Sequence, residues 1–132
     1  MTERWGATAQ DWQHFTKIAA DDLLPVVSDP NAPIASYSSM KATGKTPSRY
    51  NDRGEVMGIA RWTERTAHKN EIKAWAAEPN YGICIQTRYI RGIDIDIHDQ
   101  GLVDDIVAFI EDFLDQRQAV RSRGNSAKRL IP

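Results

Sequence analysis

The amino-acid sequence predicts a mixed α/β fold whose strands pair at least partly antiparallel. Three observations lead there. Residues 8 to 24 and 101 to 116 repeat apolar side chains at the three- and four-residue spacing of amphipathic helices. Tyr81 to Gln86 and Gly92 to His98 alternate side-chain character with the period of two expected of strands. From Ala119 to Ile131 a Gly124-Asn125 turn separates two strand-like runs. The resulting order is helix, strand, loop, helix, strand, strand, helix, hairpin.

In the first helix Trp12, Phe15, Ile18, Ala19 and Leu23 share a face, and Thr8 is a suitable N-cap. Leu24 to Val27 follows as a short strand, ended by Ser28-Asp29-Pro30. Residues 28 to 56 are rich in Ser, Pro, Asn and Gly and read as one long surface loop, longer than the ~15 residues beyond which loops are usually functional or disordered. A second helix covers residues 67 to 77, with Ile72, Trp75 and Ala76 on one face and Pro79-Asn80 as its stop. Ile83 and Ile85 lie on one side of the next strand, Gly82 and Cys84 on the other. Thr87 to Arg91 then makes a tight connection to the strand at Gly92. The helix at 101 to 116 is the clearest: Leu102, Val103, Ile106, Val107, Phe109, Ile110, Phe113 and Leu114 form a broad apolar stripe, and Asp104, Asp105, Glu111, Asp112 and Asp115 cover the other side.

With 132 residues, the chain fits one domain, 1–132, around one core. No apolar run approaches the ~18 residues needed to span a bilayer, which implies no membrane partner. Met1-Thr2-Glu3-Arg4-Trp5 does not open a secretory signal. The single Cys84 excludes an internal disulfide and fits a reducing, cytoplasmic setting. With one cysteine and His14, His68 and His98 scattered, a Cys/His metal cluster is also excluded. Gly44-Lys45-Thr46-Pro47 is no phosphate-binding P-loop, because the glycine required five positions earlier is Ser39.

A net charge of −1 argues against polyanion binding by bulk charge, but the charges are segregated. Asp94 to Asp115 holds eight acids and no Lys or Arg. Arg117 to Arg129 holds Arg117, Arg121, Arg123, Lys128 and Arg129 and no acid. Either a metal site adjoins a phosphate site, or two solvated faces neutralise each other.

The chemistry-bearing stretch is Gly92-Ile93-Asp94-Ile95-Asp96-Ile97-His98. On a strand Ile93, Ile95 and Ile97 would point into the core and Asp94, Asp96 and His98 away from it. Asp94 and Asp96 would stand about 6.6 Å apart along the strand, close enough to share one or two divalent cations. Aspartate is poor in strands, so two of them need a reason. A Mg²⁺ ion supplies one, since it favours oxygen ligands and is often shared between carboxylates and substrate phosphates. The alternative is a sheet face with two solvated acids. His98 is either a further contact on that face or an ordinary surface histidine. Trp62 and Trp75 either stack on bases, as aromatics do in single-strand binders, or pack against apolar neighbours, the reading their context favours. Cys84 reads as an inert structural thiol.

From Gly44 to Asp96 the chain resembles the bifunctional DNA primase/polymerase N-terminal family of the archaeo-eukaryotic primase superfamily, in its phage and prophage form. The resemblance is carried by Gly44-Lys45-Thr46-Pro47-Ser48, Gly58-Ile59-Ala60-Arg61-Trp62-Thr63, Glu71-Ile72-Lys73-Ala74-Trp75 and Asn80-Tyr81-Gly82-Ile83-Cys84-Ile85-Gln86-Thr87. Arg91-Gly92-Ile93-Asp94-Ile95-Asp96 matches the family's first catalytic motif. The run from Arg121 to Leu130 is similar to its Arg-x-Gly-x-x-Pro-Lys-Arg stretch, with Ala127 in place of the proline.

The resemblance implies an N-terminal α/β module followed by an RNA-recognition-like βαβ module, the latter incomplete in this sequence. It implies DNA replication chemistry, with Asp94 and Asp96 as catalytic ligands for Mg²⁺ or Mn²⁺. Arg121, Arg123, Lys128 and Arg129 would contact nucleoside triphosphate or DNA template, and Lys45 would lie in a loop near the cleft. His98 is expected as a nucleotide contact from its place on the face of the two aspartates, not from the resemblance. The family's third acid is expected beyond the second motif, but no acid follows Asp115. Two expectations follow. The sequence is either the leading segment of a primase-polymerase, binding metal and nucleotide but inactive alone, or a short non-catalytic phage protein acting as inhibitor or decoy of a host defence or replication component. An unfinished sheet would offer an exposed edge to such a host protein or to a homodimer.

Overall fold

A computed structural model describes residues 3–115, 121–123 and 126–131 and shows a mixed α/β fold. The chain divides into two compact units, Met1–Arg88 and Tyr89–Pro132.

The first unit begins with helix α1, Ala9–Ala19. Thr8 and Asp11 close a reciprocal capping box at its start, with Trp12 and Ala19 buried on its inner face. The helix ends earlier than its periodicity predicts. A 3₁₀ turn, Ala20–Asp22, diverts the chain so that Leu23 joins strand β1, Leu23–Val27. Leu23, Leu24 and Val27 are all fully buried, each burial contributing about 1.5–3 kcal/mol. That demand overrides the helical pattern.

The region expected as one long loop contains a small hairpin, β2 (Ser48–Tyr50) against β3 (Val56–Gly58). Asn51 builds its turn: the side-chain Oδ1 accepts from the N–H groups of Arg53 and Glu55, both at 2.9 Å. The N–H of Val27 donates to the buried Ser48 hydroxyl oxygen at 2.9 Å, tying β1 to β2. Helix α2, Lys69–Ala77, follows with Ile72 and Trp75 buried. Strand β4, Tyr81–Ile85, then pairs antiparallel with β1, setting Leu24 opposite Cys84 and Val27 opposite Tyr81. Pro25 inside β1 is compatible with a strand paired on one side only.

The second unit contains β5 (Ile93–Ile95), α3 (Gln100–Leu114), β6 (Arg121–Arg123) and β7 (Ser126–Ile131). The expected tight connection from Thr87 to Arg91 does not pair β4 with β5. β4 is taken by β1, and β5 pairs instead with β7. The sheet order is β5-β7-β6, with both contacts of β7 antiparallel. β5 and β6 therefore run parallel, joined through α3, with β7 inserted between them: a split βαβ arrangement. The Gly124-Asn125 turn and residues 116–120 lie outside the described residues. Ile95, Val103, Ala127 and Ile131 form the buried core between α3 and the sheet, bordered by half-buried Ile97, Ile106, Val107 and Ile110. Asp99 caps α3 by accepting from the N–H of Leu102 at 2.9 Å.

Candidate functional site

The register of the second unit's sheet sorts the predicted residues onto two faces. Directly opposed residues of an antiparallel pair share a face. Ile93 stands opposite Ile131 and Ile95 opposite Arg129, so these positions belong to the face covered by α3. Asp94 stands opposite Leu130, and Leu130 stands opposite Arg121 on the strand beyond. Asp94, Leu130 and Arg121 are thus one register row, at positions of the face turned away from α3.

Asp94 is exposed, Ile95 buried, Asp96 exposed, Ile97 half-buried and His98 exposed. The expected alternation holds through His98, although ladder pairing ends at Ile95, one residue before Asp96. Ile93 departs from it: it is 44% exposed, because it opens an edge strand at the margin of the core. His98 immediately precedes the Asp99 cap of α3.

The basic residues are divided rather than gathered. Arg129 occupies an α3-side position, and its guanidinium lies 3.4 Å from the Gln100 side-chain oxygen. Lys128 is two residues before Leu130 on β7. Arg123 stands opposite Ser126, just past a register shift between Ser122 and Arg123. For Arg121, Arg123 and Lys128 only the backbone register is described; their side chains lie outside the described residues. Lys45 is exposed in the first unit, beside Gly44, whose N–H donates to the carbonyl of Val27 at 2.8 Å. Gly44 has φ 81°, a left-handed conformation suited to glycine.

Among the described residues no group of three or more His, Cys, Asp and Glu side chains converges as a metal cage. Magnesium is often held by one or two carboxylates together with waters and substrate phosphates, and Asp94 and Asp96, both exposed, are the carboxylates that could take that part.

Sequence reasoning missed a second polar cluster, in the first unit. Asp22 is only 4% exposed, yet its carboxylate is paired with Arg88. The side-chain amide of buried Gln86 donates to the Arg65 carbonyl at 2.7 Å. The Arg65 guanidinium pairs with Glu71 and lies 5.9 Å from the Trp75 ring centroid. Trp75 also sits 6.3 Å from Trp12, centroid to centroid, so it is a packing residue. No local spacing reveals these contacts, since their members are scattered from residue 22 to residue 88. Burial pushes the Cys84 thiol above its ordinary range, consistent with an unreactive side chain.

No helix among the described residues is long and apolar enough to cross a membrane. No protein-family model, curated protein or solved structure matches this chain.

Proposed function

We propose that the second unit carries part of a DNA primase-polymerase site that binds a divalent metal together with a nucleoside triphosphate, on DNA template. One observation carries the reading. The split βαβ sheet sets the strand bearing Asp94 beside the basic hairpin and puts Asp94 and Arg121 in one register row at positions of the face turned away from α3. The sequence's resemblance to the primase-polymerase family supports the same reading.

Asp94 and Asp96 would hold Mg²⁺ or Mn²⁺. Bound there with substrate, the ion supplies charge neutralisation for the phosphates and stabilises developing oxyanions in phosphoryl transfer. The chain's residues bind and orient. Ile95, anchored in the core between the two acids, fixes which face they occupy. Arg121, Arg123 and Lys128 would add positive charge for the triphosphate. The proposal concerns the binding of metal and nucleotide by these residues.

Calorimetric titration of the chain with a deoxynucleoside triphosphate, with and without Mn²⁺, tests it. The expected result is metal-dependent binding that weakens about tenfold or more in Asp94→Asn/Asp96→Asn, a loss of at least ~1.4 kcal/mol. Binding that ignores both the metal and the double substitution overturns it.

A further inference from the structure

One flank of α3 has no partner among the described residues. Leu102, Ile106, Phe109 and Phe113 follow one another at four, three and four residues, the spacing of a seam through which one helix packs along another. Ile106 is half-buried against the core, but Leu102, Phe109 and Phe113 are 48%, 68% and 77% exposed. The two phenylalanine rings stack on each other with centroids 6.3 Å apart. Large aromatics left in water forgo about 1.5–3 kcal/mol each of burial, and a contiguous apolar strip marks an interaction surface more often than scattered single residues do.

The charge around the seam selects its occupant. On the solvent side Asp105 and Asp112, seven residues apart and both exposed, repeat at the flanking position of the seam. In a helix pair this position sets partner choice through interhelical charge pairs. α3 contains no Lys or Arg. A second copy docked seam to seam would leave both acidic edges without a countercharge. An anionic lipid surface would be repelled. A helix with apolar residues at the same spacing and Lys or Arg at its flanks matches both the seam and its rim.

We propose that this flank of α3 binds a basic amphipathic helix of another protein, with Phe109 and Phe113 as apolar anchors and Asp105 and Asp112 pairing with Lys or Arg. This is helix-on-helix recognition in which burial supplies affinity and charge supplies selection. It rests on α3 alone and does not depend on the metal-nucleotide reading.

The test uses the full chain and two labelled helical peptides of about three heptads, with Leu at the seam positions and either Lys or Glu at the flanks. Fluorescence anisotropy is expected to show binding of the Lys peptide, weakened by added salt, and little binding of the Glu peptide. Phe109→Ser/Phe113→Ser should weaken the Lys peptide about tenfold or more. Asp105→Lys/Asp112→Lys should reverse the preference, and as a change of exposed charges it leaves the fold readable by circular dichroism. Failure of the Lys peptide to bind, equal binding of both peptides, or a preference untouched by the charge reversal overturns the proposal. So does a wild-type dimer in analytical ultracentrifugation that Phe109→Ser/Phe113→Ser dissociates, because the seam would then be covered by a second copy.

Discussion

Arg88 reaches back across 66 residues to the carboxylate of Asp22, placing Nε 2.8 Å and a terminal guanidinium nitrogen 2.7 Å from the same oxygen. The Asp22 side chain is 5% exposed and that of Arg88 33%. Arg88 donates also to the carbonyl oxygens of Asp21 and Arg65. A buried carboxylate deprived of its cation keeps its desolvation penalty and loses its compensation. Arg88→Ala is therefore expected to lower the unfolding free energy by about 3 kcal/mol. Asp22→Leu/Arg88→Met should recover most of that loss, since removing both charges removes the penalty as well. Urea denaturation of the three proteins decides. A single substitution costing under about 0.5 kcal/mol means the pair does not hold this corner of the unit.

That ion pair shows where sequence reading stops. Thr8 was legible as a cap position, and α3 as a helix, because those signals lie within a few residues. The alternation around Asp94 and Asp96 was legible for the same reason, and the structure keeps it in the burial pattern. Pairing was not legible. β4 and β5 are neighbours in sequence with strand-like periods, yet each takes a distant partner, because the apolar run Leu23–Val27 needs β4 and the core around Val103 needs β5 beside β7. The 48–58 hairpin escaped notice since each of its strands is three residues long, too short for periodicity to register. Arg129 looked like one more basic site residue, and only the register shows that it occupies the α3 side.

Gly6 marks a close approach of backbones. Its N–H donates to the carbonyl of Pro79 and that of Ala7 to the carbonyl of Tyr81, both at 2.9 Å. A Cβ on residue 6 would lie 2.5 Å from the Tyr81 carbonyl oxygen and 2.6 Å from that of Pro79. Both obstacles are main chain and cannot swing aside. Gly6→Ala should cost about 1–3 kcal/mol, the range for overpacking a tight site. Amide hydrogen exchange at Ala7 and Tyr81 should rise with it. Unchanged exchange would show that the segment yields freely.

The capping box of α1 carries a pH signature. The hydroxyl of Thr8 donates to the Asp11 carboxylate at 2.7 Å and the Thr8 N–H donates to it at 2.8 Å. Asp11 is held below its ordinary pKa chiefly by the Thr8 hydroxyl, then by the Thr8 N–H, against a smaller effect of burial. A depressed carboxyl stabilises the fold above its unfolded value near 3.8 and ceases to do so as pH falls through the lower folded value. Thr8→Ala should cost about 0.5–1 kcal/mol at neutral pH, at the low end for N-caps because the box is exposed to solvent. The difference between wild type and Thr8→Ala should narrow below pH 3.8. Paired melts at pH 7 and near pH 3 measure it; a gap that widens on acidification contradicts the stated sign.

Asp94 and Ile95 are adjacent, but the sheet gives them opposite surroundings. Asp94 is exposed opposite Leu130; Ile95 is 5% exposed and packs with Val103, Ala127 and Ile131. A strand displaced by one residue would exchange the two environments completely. Ile95→Ala should therefore destabilise by about 2–4 kcal/mol, the cost of emptying a packed core position. Asp94→Asn should change stability by no more than about 0.5 kcal/mol, as expected of a surface substitution. The contrast matters for the proposed function, because lost metal-nucleotide binding in the Asp94 variant can be assigned to the site only if the fold is intact. Chemical denaturation supplies the comparison. Similar losses at both positions would mean that Asp94 is held in the structure rather than offered to a ligand, and the metal-nucleotide proposal would then lose its principal residue.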